Sequence, residues 1–260
     1  MRLMGDEGPI HSLETASTTI AYRRTAGRNP GLVFLGGFRS DMTGIKATSL
    51  EAWAKRQGRA FVRFDYQGHG ASGGEWEQGS IGQWRDDALA VLDRLTEGPQ
   101  ILIGSSMGGW IALLLALARP DRVAGLLGVA PAPDFTERMI RSRLGPDQRA
   151  ALERDGRFIA PSAYDPAGYP ITRHLLEEAR AHLLLPGPIP IACPVRLLHG
   201  QRDADIPWRT SLDLADALTG DDVRVVLVKD GDHRLSRDQD IALMLRLAGE
   251  LADQAAAAVG

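Results

Sequence analysis

The sequence predicts an α/β fold: one mostly parallel central sheet flanked by helices, with a helical segment inserted late in the chain. Three observations carry this reading. Short β-rich runs alternate with helical patterns, the order that makes a parallel sheet with crossover helices. Several of the runs are apolar almost without alternation, as strands buried on both faces should be. Between Ala132 and Ala192 the rhythm breaks and no strand is evident; two helix-like stretches, near Phe135–Arg154 and Thr172–Leu185, are separated by Pro161, Pro166 and Pro170.

The expected strands are Gly31–Gly37, Ala60–Asp65, Gln100–Gly104, Val123–Val129, Val195–His199 and Val223–Val228, with Thr18–Arg23 as an antiparallel edge strand. Ser80 and Gln83 read as a capping box ahead of Ile81, Trp84, Ala88, Leu92 and Leu95, which share one helical face. Ser236 and Gln239 repeat that spacing before a last helix whose buried stripe includes Ile241, Leu245 and Ala248. The helix after Gly108 is apolar nearly all round and is expected in the middle of the structure. Ala255–Ala258 reads as a frayed tail. Strands resume at Val195 after the irregular segment. The expectation is therefore a single domain over 1–260 with a lid inserted at about 132–192.

Composition excludes several classes of partner. The chain has 260 residues, 44% of them hydrophobic and 24% charged, with a net charge of −3. That suffices for a sizeable core and offers no basic run for nucleic acid or anionic membrane. No apolar stretch is long enough to span a bilayer; the longest lies around Trp110–Ala118. Met1–Gly8 carries both charge signs and lacks the apolar core of a signal peptide, and the one cysteine, Cys193, can form no internal disulfide. The expected location is the cytoplasm, and Cys193 is expected to be a buried structural thiol.

Gly104-Ser105-Ser106-Met107-Gly108 matches G-x-S-x-G between an expected strand and an expected helix. A sharp strand-to-helix turn there projects the central side chain from the sheet edge, and small neighbours give the backbone room. Serine is also favoured as a plain helix N-cap, so the motif needs partners to carry meaning. A serine hydroxyl requires a base to take its proton. Of the six histidines, His233 lies in a loop between the last strand and last helix, on the same sheet edge as Ser106. His199 and His69 are lesser candidates; His11, His174 and His182 have no such placement. A carboxylate must hold the base in its tautomer. Asp203, directly after a strand, is favoured; Asp205 is its rival, and Asp230 and Asp232 lie on the loop of His233 itself.

An oxyanion hole needs backbone N–H groups aimed at the developing charge. Met107, at a helix N-terminus, supplies one. The Gly36-Gly37-Phe38 turn after the early strand supplies the other through Phe38 N–H. Asp65, before a glycine-rich turn, reads as structural. No phosphate-binding loop and no HExxH, CxxC or clustered His/Asp pattern is present, so neither a cofactor nor a metal is expected.

Taken together, Gly98–Trp110, Arg63–Gly74, Pro188–Trp208 and the Asp232-His233-Arg234 turn resemble the α/β-hydrolase superfamily, and within it the branch of mitochondrial palmitoyl-protein thioesterases. The likeness runs from about Leu32 to about Arg246. It implies the α/β-hydrolase fold, Ser106, Asp203 and His233 as triad, and hydrolysis of S-acyl cysteine or acyl glucuronides. Two departures stand out. The chain begins without an Arg-rich, acid-poor transit segment, so a mitochondrial address does not carry over and a bacterial-type relative is expected. Gly36-Gly37 also replaces the His-Gly found before the oxyanion donor in many members. The expected substrate is an acyl thioester or ester, including an S-acylated protein. A carbon–carbon bond hydrolase or acyltransferase with the same triad, or a non-catalytic binding protein on the same fold, are the alternatives. A fluorophosphonate probe separates the last from the others, because only a working nucleophile reacts.

Overall fold

The computed structural model describes residues 8–162 and 165–258; of the N-terminal stretch read above, Met1–Glu7 lie outside the described residues. Among the described residues ten strands run β1 (His11–Glu14), β2 (Thr19–Thr25), β3 (Arg28–Leu35), β4 (Arg59–Phe64), β5 (Gln100–Ser105), β6 (Val123–Val129), β7 (Arg157–Ala160), β8 (Tyr169–Thr172), β9 (Val195–Gly200) and β10 (Val223–Val228). The helices are α1 (Ile45–Gln57), α2 (Ile81–Leu95), α3 (Met107–Ala118), α4 (Pro146–Asp155), α5 (Arg173–Glu178), α6 (Arg209–Ala217) and α7 (Asp238–Ala257).

Eight strands form one sheet in the order β1-β2-β4-β3-β5-β6-β9-β10. Every pair from β4 to β10 is parallel; β2 pairs antiparallel with both β1 and β4. The near-continuous apolar runs have a simple cause: both faces of the sheet are covered. Val33, Leu35 and Leu102 pack with α2 and α3, whereas Leu32, Phe34, Ile101 and Ile103 pack with α1 and α7. Three arginines among the described residues are buried in this interior, each of them paired; Arg59 Nη2 donates to Asp253 Oδ1 at 2.6 Å. Arg63 donates to Glu51 Oε2 from Nε and Nη2, at 3.0 and 2.6 Å, and so ties β4 to α1. Arg196 reaches Asp222 and Glu250.

The sheet order reverses at β3, so the loops after β3 and β5 flank a crevice at the carboxyl edge, where ligands bind in open α/β sheets. Leu35 stands opposite Gly104, and Ser105 opposite Val129. The ends of these neighbouring strands are therefore level, and the loops leaving them meet.

Six expectations need correction. Thr18–Arg23 is a strand but not the edge, because β1 pairs outside it. The segment 132–192 holds two strands, β7 and β8, joined as an antiparallel pair. Each is only four residues long, β8 contains Pro170, and they bury a small separate cluster of Leu144, Leu152, Phe158, Ile171 and Leu176, which hides them from a periodicity reading. The helix-like stretch from Phe135 is broken into a π-helical turn (Thr136–Ile140), a 3-10 turn (Arg141–Arg143) and α4. The final helix starts one residue later than the Ser236–Gln239 frame, since Asp240 Oδ2 accepts from Arg237 N–H and Ser236 Oγ turns to Arg234 O. It also continues to Ala257, as an alanine run favours, rather than fraying from Ala255. At α2, Ser80 Oγ accepts from Gln83 N–H at 3.2 Å, but the Gln83 side chain turns to Ser17 and Asp87, so only half of the reciprocal cap forms.

Candidate active site

Ser106 joins β5 to α3 with φ 55° and ψ −118°. A side chain at positive φ stores strain of about 1–3 kcal/mol and persists only where its surroundings dictate it. Here Ser106 N–H donates to Val129 O at 2.9 Å, and Ser106 O accepts from Gly109 N–H at 2.9 Å and Ala132 N–H at 3.1 Å. The small neighbours are required by contact. A Cβ on Gly104 would lie 2.3 Å from Gly108 O, and one on Gly108 would lie 2.1 Å from Leu35 O. The turn thus packs backbone on backbone and lifts the Ser106 side chain off the sheet edge.

Ser106 Oγ lies 3.1 Å from His233 Nε2, and His233 Nδ1 lies 2.7 Å from Asp203 Oδ2. The carboxylate only accepts, so Nδ1 carries the proton and donates it to Asp203; Nε2 is left as the acceptor for the Ser106 hydroxyl. The Asp203 side chain is fully buried. Burial alone would raise its pKa, but the hydrogen bonds from His199 and His233 outweigh it and hold the carboxyl well below the ordinary carboxylate range. Its other oxygen, Oδ1, accepts from Asp205 and Ile206 N–H at 2.9 and 2.8 Å. Asp205 therefore contributes backbone to the Asp203 turn, and its side chain is exposed. Asp230 pairs with Arg237, and Asp232 caps Leu235 N–H.

The turn after β3 runs beside Ser106: a Cβ on Gly37 would be 3.3 Å from Ser105 O and 3.4 Å from Ser106 Cβ. Ser40 N–H and Oγ both donate to Gly37 O, and Arg39 N–H donates to His69 Nε2 at 3.3 Å. None of these bonds uses the N–H of Phe38. The Phe38 ring is locked edge-on among Trp76, Trp84, Phe135 and Tyr169. His69 faces Gln67 O through Nδ1 at 3.0 Å, so Nδ1 carries its proton and Nε2 accepts. Burial pushes its pKa down to about 4, which keeps the ring neutral. His69 is thus a support beneath the turn, well removed from the base role considered for it.

Most of the remaining sequence candidates are accounted for by local contacts, and His174 is exposed on α5. Asp65 receives Met42 and Ala71 N–H, a structural turn. His182 bonds Glu178, and His11 stacks on Tyr22. Cys193 is half-buried rather than fully buried, and burial raises its thiol to about 11. Asp203, Asp205 and His233 bring ligand atoms within 4.8 Å of one another, a grouping the sequence reading did not anticipate. Asp203 and His233 spend those atoms on the hydrogen bonds above. Sequence reasoning also missed His199 as a partner of Asp203: its Nε2 lies 3.0 Å from Asp203 Oδ2, an i,i+4 contact closed by the turn after β9.

Such a row can move a proton from hydroxyl to imidazole while the buried carboxylate steadies the resulting cation. Residues 32–164 match the Hydrolase_4 family model, described as serine aminopeptidase, S33. The chain is 44% identical over 237 residues to the mitochondrial palmitoyl-protein thioesterase ABHD10 of Rattus norvegicus, covering 91% of this chain and 80% of that protein. The solved mouse α/β hydrolase domain-containing protein 10 superposes with a TM-score of 0.88 at 42% identity, covering 95% of this chain and 99% of that one. A solved protein of Agrobacterium vitis S4 superposes at 0.89 with 42% identity, covering 94% and 100%. By sequence and by strand order alike, the chain belongs to the α/β-hydrolase family and is an enzyme of the serine-hydrolase type.

Proposed function

We propose that this enzyme hydrolyses acyl thioesters or carboxylic esters, of the S-acyl cysteine or acyl-glucuronide type, through an acyl-enzyme on Ser106. The observation that carries the proposal is the strained Ser106 turn aligned with His233 and Asp203. In this reading Ser106 Oγ attacks the acyl carbon as its proton passes to His233 Nε2. Asp203 stabilises the imidazolium, and the N–H groups of Phe38 and Met107 receive the developing oxyanion. Collapse of the tetrahedral intermediate expels the leaving group, which takes the proton from His233 Nε2, and leaves the acyl ester on Ser106 with His233 neutral again. Water then repeats the sequence with His233 as base, releasing the acid and restoring the serine.

Two considerations favour thioesters. A thiol leaves readily, with a pKa near roughly 8.5, whereas an alkoxide or amine needs a well-placed proton from His233. The similarity to palmitoyl-protein thioesterases points the same way. The test compares kcat/KM for an S-acyl cysteine peptide, an acyl glucuronide, an ethyl ester and an amide sharing one acyl chain. The first two are expected to lead. Preference for the ethyl ester or amide over both would overturn the substrate assignment.

A further inference from the structure

We propose that His199, with Ser211 behind it, is a positioning residue that fixes the Asp203 carboxylate for His233. This rests on the proposed roles of Ser106, His233 and Asp203. His199 ends β9 and is fully buried, as is Ser211 on α6. Its Nε2 faces two groups that can only accept, Asp203 Oδ2 at 3.0 Å and Ile206 O at 3.2 Å. Nε2 therefore carries a proton, and Nδ1 of the neutral ring is left to accept. The group facing Nδ1 is the Ser211 hydroxyl at 2.7 Å, which donates. One tautomer satisfies every contact.

The consequence falls on Asp203. Its Oδ2 receives two imidazole N–H groups, from His199 and His233, and its Oδ1 receives two backbone N–H groups. The backbone pair fixes one oxygen; His199 is the further anchor for the other. Without it, a buried carboxylate retains His233 as the sole side-chain donor to Oδ2, and the pair loses its fixed angle toward Ser106. The Ser211 hydroxyl keeps the imidazole in the donating tautomer, the same service that a second hydrogen bond performs for a ligand histidine at a metal site.

The test uses His199→Phe, His199→Phe combined with Ser211→Ala so that no hydroxyl is orphaned, and His199→Gln, which restores a side-chain N–H. Active sites are counted with a fluorophosphonate, and kcat is expressed per labelled site, which a loss of folded protein alone does not move. Both Phe variants are expected to lose about 10- to 100-fold in kcat at unchanged KM, by analogy with the loss when a hydrogen-bond partner that orients a metal-ligating histidine is removed. The Gln variant should regain most of the loss. In an Asp203→Ala background, His199→Phe should cost nothing more, since a residue acting through Asp203 has nothing left to act on. Wild-type kcat per site in both Phe variants, or a full additional loss on top of Asp203→Ala, would overturn the role of His199. Full activity in Ser106→Ala or Asp203→Ala would instead overturn the reading on which it rests.

Discussion

Asp203 Oδ2 lies 2.7 Å from His233 Nδ1, although the two residues leave the sheet on separate loops, after β9 and β10 respectively. Parallel pairing of these strands, with Leu198 opposite Val226, brings both loops to one edge. The carboxylate is buried while Asp205 is exposed, so two acids separated only by Ala204 have different fates. Asp203→Asn should reduce turnover by about ten-thousandfold, as in a serine protease whose triad acid was so changed. Asp205→Asn should leave it within a few-fold, because it is the Asp205 backbone N–H that bonds Asp203. Steady-state kinetics on purified, folded variants checks the ranking, and the reverse order would place the acid at 205.

Ser106→Ala should abolish fluorophosphonate labelling and lower turnover by about a millionfold, the scale of nucleophile loss in another serine hydrolase. Stability should hold, since the Ser106 side chain is not part of either main core cluster. Labelling followed by mass spectrometry locates the adduct; an adduct elsewhere would refute the assignment.

Gly108→Ala tests the turn itself. The added methyl would meet Leu35 O at 2.1 Å, a backbone atom that cannot step aside, so stability should fall by about 1–3 kcal/mol or more. Gly187→Ala, with nothing within 4 Å of the new Cβ, serves as control and should stay within about 0.5 kcal/mol. Thermal unfolding of both variants is the measurement.

His69 gives the fold a defined acid sensitivity. Its folded pKa is depressed to about 4 from 6.5 by burial. The unfolded chain therefore binds the proton more readily. The stabilisation is fully present above pH 6.5 and is lost as pH falls through about 4. The full span corresponds to about 3 kcal/mol. Urea denaturation between pH 7 and 4 should show this slope in the wild type and a shallower one in His69→Gln, which cannot titrate. Equal slopes would mean that His69 does not govern acid stability.

Met139 and Ile140 lie half-buried on the π-helical turn and pack against the main core, and Ile140 also touches the small cluster of the insert. If the segment between β6 and β9 forms part of the proposed acyl site, truncating either to Ala should shift acyl-chain preference by about 1 kcal/mol per lost methylene contact. Chain-length profiles that do not change would leave the insert without a part in acyl selection.

The sequence by itself determined the sheet. A short apolar run such as VAGLLGV, of strand length and bounded by turn residues, is satisfied by a strand covered on both faces, and Val123–Val129 falls where that pattern puts it. It also placed Ser106, Asp203 and His233 at one edge, because the glycine-flanked turn and the two loops that bear them follow strands whose carboxyl ends share that edge. Only the tertiary structure decided the rest. The strands β7 and β8 bury their side chains in a cluster local to the insert, so no long period announces them. The choice between Asp203 and Asp205 turns on which carboxylate a tight turn folds inward, which neighbouring identical residue types cannot encode by spacing. His199 and His69 are recognisable only through what faces their ring nitrogens: Asp203 and Ser211 for one, Arg39 and Gln67 for the other. A histidine's role is set by its donors and acceptors in space, and those partners come from strands, turns and helices that only folding brings together.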